Sequence, residues 1–364
     1  MSNREHHLRY EIDKTELLTV ENICVLCWGL IGDVFIRVAV IEALRQRFPG
    51  ANIVVVVDPA CKVVLQNHPD VNEVFVFSRA KRPLYRYVFN TIKNCILLRR
   101  RKFDLSINLY SGGSSPRITR IINATIRLGF DHTKALRKAN NLLVKHPSLC
   151  TRWTKAFGTI LKPLGINDAQ IRQGTSYYVS ETGKSFAHEF FRGDGNKYIV
   201  INLGARIAEK RWSVKRFTQL ALQIQEKHSL CPLVLTNPGM TNLTDEFARE
   251  YDGKGHYRIA PLLSLDSVAG LMQYCQYVIT GDTSIMHLAF GLKCPTLVLF
   301  TYTRPDVVEP VDCLHADCFI ADDRVKDECG NPMGNADIPI TLAYQKFIEL
   351  LKTDNSLQKR DGLN

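Results

Sequence analysis

The chain has 364 residues, of which 45% are hydrophobic and 23% charged. That balance excludes a wholly disordered, collagen-like or coiled-coil protein and suits two globular domains. Its net charge is +11, but residues 1–190 hold 28 basic and 15 acidic side chains, net +13, and the remainder 19 and 21, net −2. An anionic partner for the N-terminal half follows, with nucleic acid, phospholipid headgroups and a phosphorylated substrate all open on charge alone.

Apolar runs of strand length alternate with helical patterns. Ile23–Trp28 reads as a buried strand and is followed by Val34, Val38, Ile41, Leu44 and Phe48 at helical spacing. Strands at Ile53–Val57, Val74–Phe77 and Leu105–Leu109 come next, with helices at Val63–Gln66 and Leu84–Leu98 between them. The pattern restarts with strands at Tyr198–Asn202, Pro232–Thr236, Tyr277–Thr280 and Thr296–Phe300, separated by helices at Val214–Lys227, Thr244–Tyr251, Ser264–Tyr274 and Thr283–Gly291. Strands apolar on both faces and separated by helices imply parallel sheets covered on both sides. The prediction is an α/β chain of two doubly wound, Rossmann-like units. They cover residues 1–180 and 181–340, with a boundary between Leu164 and Asn196 and a C-terminal helix and tail at 341–364.

The eleven cysteines are odd in number and scattered, the N-terminus MSNREHHLRY is polar, and no run approaches the roughly 18 apolar residues of a membrane span. The expectation is a cytoplasmic chain with reduced thiols. Cys24 and Cys27 lie on opposite faces of a strand, and Cys313, Cys318 and Cys329 fit no pattern of two close ligand pairs, so all are read as thiols without a metal.

Ligands of doubly wound sheets bind beyond the carboxyl ends of the strands, so the loops there carry the candidates. The first is Gly29-Leu30-Ile31-Gly32-Asp33, where Asp33 is either a helix N-cap or a general base facing an interdomain cleft. The second is Asn202-Leu203-Gly204-Ala205-Arg206 with Glu209-Lys210-Arg211-Trp212, either a diphosphate site or a solvated charged loop. The third, Thr280-Gly281-Asp282-Thr283-Ser284 with His287 one turn into the helix, combines a cap hydroxyl, free N–H groups and an imidazole suited to phosphate or ribose; His287 as a structural residue is the other reading. Arg117 and Arg120 lie near Ser111-Gly112-Gly113-Ser114-Ser115, a further anion-site candidate that Arg127, Lys134, Arg137 and Lys138 also surround. Arg79, Lys81, Arg82, Arg86 and the run Arg99-Arg100-Arg101-Lys102 flank the helix from Leu84; its apolar face is expected to cover the sheet, leaving the cations for anionic lipid or for helix capping and solvent.

Jointly, Gly32-Asp33 with Glu42-Ala43-Leu44-Arg45 and Phe48-Pro49-Gly50-Ala51, Gly204-Ala205 with Lys210-Arg211-Trp212 and Phe217, and Asp282-Thr283 with His287-Leu288-Ala289 and Pro295 resemble family 9 glycosyltransferases, the ADP-heptose:lipopolysaccharide heptosyltransferases. The resemblance implies a GT-B fold, two Rossmann-like domains facing across a cleft with the acceptor on the first and the nucleotide sugar on the second. It also implies an inverting, metal-independent transfer without a cofactor, from ADP-heptose to a phosphorylated, lipopolysaccharide-core-like glycolipid at the inner face of the membrane. Asp33 is then the base and Lys210 the diphosphate lysine. Gly204, Arg206, Asp282, Thr283, Ser284 and His287 hold the donor, and Gly32, Arg117 and Arg120 lie on the acceptor side. Two alternatives are a nicotinamide-dependent oxidoreductase using Asp58 on a ribose, weakened by the missing GxGxxG, and a non-catalytic nucleotide-sugar-binding protein. Nothing but charge favours nucleic acid.

Overall fold

The computed structural model describes residues 10–79, 83–110, 112–147, 152–308 and 312–361. Lys81, Arg82 and Ser111, named above, lie outside them. The chain divides into two compact units, Met1–Thr175 and Ser176–Asn364. The C-terminal helix, Ile340–Asp361, packs within the second and forms no unit of its own.

In the first unit six strands form one parallel sheet: β1 (Asn22–Leu26), β2 (Asn52–Val57), β3 (Glu73–Val76), β4 (Leu105–Asn108), β5 (Ile126–Phe130) and β6 (Leu142–Val144). Their order is β3-β2-β1-β4-β5-β6, with Ile23 in register with Ile53 on one side and Leu105 on the other. Each strand needs a crossover to lie parallel to the next, and the helix Ile31–Arg47 supplies the first. It buries Val34, Phe35, Val38, Ile41 and Leu44.

The second unit repeats the design with β7 (Lys197–Asn202), β8 (Leu230–Leu235), β9 (Arg258–Ala260), β10 (Tyr277–Gly281), β11 (Thr296–Phe300) and β12 (His315–Phe319), ordered β12-β11-β10-β7-β8-β9. A short antiparallel pair, β13 (Ala321–Lys326) and β14 (Pro332–Gly334), follows. Side-chain caps start the helices: Ser213 accepts from the Arg216 N–H at 3.3 Å, and Ser264 from the Ser267 N–H at 3.1 Å. Trp212 is buried in this core, packs edge-on to Phe217 and donates its Nε1–H to the Ile338 carbonyl at 3.0 Å. It therefore anchors the chain two residues after Lys210.

Strand order reverses between β1 and β4 in the first sheet and between β7 and β10 in the second. These switch points are where open α/β sheets bind ligands, because the flanking loops diverge and leave a crevice. The loops singled out from the sequence leave these four strands.

The helix Leu84–Arg100 departs from expectation. Only Cys95 and Leu98 are buried, while Leu84, Tyr85, Val88, Phe89, Ile92 and Ile96 face outward, so its main apolar stripe does not cover the sheet. Strands β5, β6, β9 and β12 were not foreseen. Arg127 breaks the apolar pattern of β5, yet it is buried and donates to the Ala139 and Ala124 carbonyls at 2.9 and 2.8 Å. It is thus a structural cation, unlike the exposed Arg117 and Arg120.

Candidate active site

In the first unit the chain leaves β1 through buried Cys27 and Trp28, turns at Gly29 and enters its helix at Ile31. Asp33 is the third helical residue, and its Oδ2 accepts from the Leu30 N–H at 2.7 Å, closing half of a capping box. Gly29 has φ +145°, and a Cβ there would stand 2.6 Å from Asp33 Oδ2 and 2.8 Å from Asp33 Cβ. Glycine is needed for the turn and for the carboxylate to lie against it. The Cys61 thiol donates to the Gly29 carbonyl at 3.4 Å; burial pushes this thiol up to about 12, so it stays a donor at neutral pH. Arg37, one turn beyond Asp33 and buried, donates to the Trp28 carbonyl. Asp33 thus caps through one oxygen, and its Oδ1 makes no hydrogen bond among the described residues. Gly32 is half-buried beside it.

At the neighbouring strand end, Asn108 Oδ1 accepts from Ser115 Oγ at 2.7 Å and from the Tyr110 N–H at 3.0 Å, fixing the turn that precedes the helix Ser115–Ile122. Arg117 and Arg120 project from that helix into solvent. Arg79 lies over the rings of Trp28 and Tyr110, 5.5 and 4.6 Å from their centroids, and pairs with both oxygens of Asp58. Asp58 is therefore committed to an arginine and does not stand free for a ribose.

In the second unit the loops after β7, β8 and β10 are tied together by Asn202. Its Nδ2 donates to the Gly204 carbonyl (3.2 Å), Thr280 Oγ1 (3.0 Å) and Thr283 Oγ1 (3.1 Å), and its Oδ1 accepts from Asn237 Nδ2 at 2.9 Å. A Cβ on Gly204 would come within 2.7 Å of Asn237 Nδ2, so glycine permits this approach. Asn202 and Asn237 were not singled out as functional residues. Two asparagines at consecutive strand ends were visible, but partners up to 81 residues away were not.

Lys210 closes the 3₁₀ turn Ala208–Lys210, which Thr301 holds by donating to the Glu209 carbonyl at 2.9 Å. Its ammonium pairs with Asp282, a buried carboxylate that also accepts from Thr303 Oγ1. Burial alone would raise the Asp282 pKa. The Lys210 charge, hydrogen bonds from Lys210 and Thr303, and the charge of His287 outweigh that and hold it below the ordinary carboxylate value. Thr283 caps the helix Ser284–Gly291, accepting from the Ile285 N–H at 3.2 Å, with Ser284 half-buried at its first position and His287 buried one turn in. Lys210, Asp282, Thr283 and His287 are therefore brought together at one strand end. Arg206 is exposed on the preceding loop, and Arg211 donates its Nε–H to the Ala205 carbonyl at 2.7 Å. A lysine charge beside a capped helix N-terminus suits a bound diphosphate.

Among the described residues no group of three or more His, Cys, Asp or Glu could hold a metal ion. Cys313 and Cys318 are buried free thiols. No helix of the described residues is long and apolar enough to cross a membrane.

Two doubly wound units in one chain, each with polar loops gathered at its own switch point, are the architecture of the GT-B fold. The model of glycosyltransferase family 9 (heptosyltransferase) matches residues 96–327. The chain belongs to that family and is a glycosyltransferase, which removes the oxidoreductase alternative. It is 24% identical over 280 residues to lipopolysaccharide heptosyltransferase 3 of Escherichia coli, covering 75% of this chain and 81% of that protein. It is 20% identical over 318 residues to the lipopolysaccharide core heptosyltransferase OpsX of Haemophilus influenzae, covering 86% and 88%. A family 9 glycosyltransferase from Veillonella parvula shares the fold at a TM-score of 0.77 with 20% identity, over 96% of this chain and all of that one. The E. coli ADP-heptose lipopolysaccharide heptosyltransferase II does so at 0.75 with 19% identity, over 92% and 99%. E. coli heptosyltransferase WaaC with ADP-2-deoxy-2-fluoro heptose superposes at 0.68 with 16% identity, over 90% and 99%.

Proposed function

We propose that the chain is an inverting glycosyltransferase that moves a heptose, or a related sugar, from an ADP-activated donor to a phosphorylated, lipopolysaccharide-core-like acceptor. The relatives named above supply the donor and acceptor classes. The observation that carries the reading is the pairing of Lys210 with Asp282 beside the Thr283-capped helix, a lysine charge held at the switch point of the second unit.

In the proposed reaction the acceptor hydroxyl oxygen forms a bond to the anomeric carbon as the bond to the diphosphate oxygen breaks, inverting that carbon. Asp33 takes the hydroxyl proton on Oδ1 while Oδ2 stays bonded to the Leu30 N–H. The departing ADP gains negative charge, and Lys210 exchanges Asp282 for the diphosphate to meet it, aided by the N–H groups ahead of Ile285. Cation and helix N-terminus together replace a metal ion in this scheme. Gly204, Arg206, Ser284 and His287 line the donor side, and Gly32, Arg117 and Arg120 the acceptor side, with residues 1–175 serving the acceptor and 176–364 the donor.

The test offers wild-type protein a panel of nucleotide sugars with a lipid-core acceptor, with and without EDTA, and identifies products by mass. A heptose-sized increment on the acceptor, insensitive to EDTA, is the expected result. Donor binding without any product would favour the non-catalytic alternative, and full loss with EDTA would overturn the metal-independent scheme.

A further inference from the structure

The helix Leu84–Arg100 begins after Pro83 and carries two kinds of exposed side chain. Leu84, Val88, Ile92 and Ile96 recur every four residues, and Tyr85 and Phe89 run beside them, so at about 100° per residue they form one stripe. Leu84 is 69% exposed, Tyr85 68%, Phe89 67% and Ile92 55%. The inward face, with Cys95 and Leu98 buried and Tyr87, Thr91 and Asn94 half-buried, adjoins the stripe along its Leu84 edge. Contiguous apolar surface of this kind marks an interaction site.

Charge identifies what it meets. Arg86, Lys93 and Arg100 fall along one border of the stripe, all exposed, and Arg99 adds a fourth cation near its C-terminal end; the helix contains no Asp or Glu. Against it packs the helix Ser115–Ile122, which adds exposed Arg117 and Arg120 and likewise has no acid. An apolar stripe with Leu, Phe and Tyr bordered by unopposed cations is the pattern of a helix that lies in the headgroup plane of a membrane. A partner protein's apolar groove would account for the stripe but would not call for cations without a single balancing acid.

We propose that Leu84–Arg100 is a docking helix for an anionic phospholipid bilayer. It lies flat, inserting Leu84, Tyr85, Phe89 and Ile92 at the acyl boundary while Arg86, Lys93 and Arg100 contact headgroup phosphates. The proposal does not rest on the sugar transferred or on the base assigned above.

The test is co-flotation of full-length protein with vesicles of phosphatidylcholine alone, or of phosphatidylcholine mixed with phosphatidylglycerol. Wild type should float with the mixed vesicles, at least about tenfold more than with neutral ones, and release as salt rises. Phe89→Asp with Ile92→Asp should reduce binding to mixed vesicles about tenfold or more; so should Arg86→Glu with Lys93→Glu. These side chains are exposed, so both variants should keep the wild-type circular dichroism and donor affinity. Equal binding to neutral and mixed vesicles, or unchanged binding by either variant, would overturn the proposal. So would absence of vesicle binding together with a wild-type dimer in sedimentation that Phe89→Asp dissolves, which would assign the stripe to a second copy of the chain.

Discussion

Replacing Gly29 by alanine tests how the first loop builds its carboxylate. The new Cβ would meet Asp33 Oδ2 at 2.6 Å and Asp33 Cβ at 2.8 Å, both far inside contact distance, at a backbone φ of +145°. Backbone strain of that kind costs about 1–3 kcal/mol. Moving the carboxylate away also forfeits its hydrogen bond to the Leu30 N–H, worth about 1.5–3 kcal/mol because the acceptor is charged. The two penalties are alternatives in part, since a shifted Asp33 relieves the strain. A destabilisation of about 2–4 kcal/mol is therefore expected in denaturant unfolding. A base displaced by about 1 Å should lose about 100-fold in turnover, while the donor, held by the second unit in this account, binds as before. Transfer rates and calorimetric donor affinity are measured for Gly29→Ala, Asp33→Asn and the double variant. Both changes act on one carboxylate, so Gly29→Ala should cost little further rate in the Asp33→Asn background. Full turnover by Gly29→Ala, or an undiminished penalty in the double variant, would refute the reasoning.

Three further outcomes follow from the second unit. Lys210→Ala orphans the buried Asp282 carboxylate and should cost about 3 kcal/mol, most of it recovered when Asp282→Asn is added, as a double-mutant cycle in urea would show. Because the folded pKa of Asp282 lies below its unfolded value, the stabilisation from this group is complete above the unfolded pKa and is lost as pH falls through the folded one. Wild type should therefore lose more stability than Asp282→Asn between about pH 6 and about pH 3, measured by urea titration at each pH. Gly270→Ala would bring a Cβ to 2.2 Å from the Gly183 carbonyl, forcing apart the helices Glu181–Phe190 and Leu265–Tyr274; about 1–3 kcal/mol of destabilisation is expected in the same assay.

The two-unit α/β architecture was legible because β1, β2, β7, β8, β10 and β11 are buried on both faces and read as unbroken apolar runs. The strands that escaped are short, at the sheet edges, or interrupted: β12 is the half-buried edge strand His-Ala-Asp-Cys-Phe, and β5 carries Arg127, whose charge is met by carbonyls that only the folded chain supplies. The site loops were legible by residue type at strand ends. Their internal wiring was not, because Lys210 and Asp282 are 72 residues apart, and the demand for glycine at 29 comes from the position of Asp33's carboxylate. Helical periodicity found Leu84, Val88, Ile92 and Ile96 of the stripe but not Tyr85 and Phe89, and could not say which way it faces, since inward and outward apolar faces have the same spacing.

The central claim is that Asp33 accepts the acceptor's proton during sugar transfer. It is tested most directly by Asp33→Asn under single-turnover conditions with ADP-heptose and a lipopolysaccharide-core acceptor, with product mass followed in time and donor affinity measured in parallel. The account predicts that the heptose increment formed by wild type is lost while donor affinity stays within about twofold, since the amide keeps a hydrogen-bond acceptor for the Leu30 N–H but cannot take a proton at neutral pH. Transfer by Asp33→Asn at the wild-type rate would contradict it.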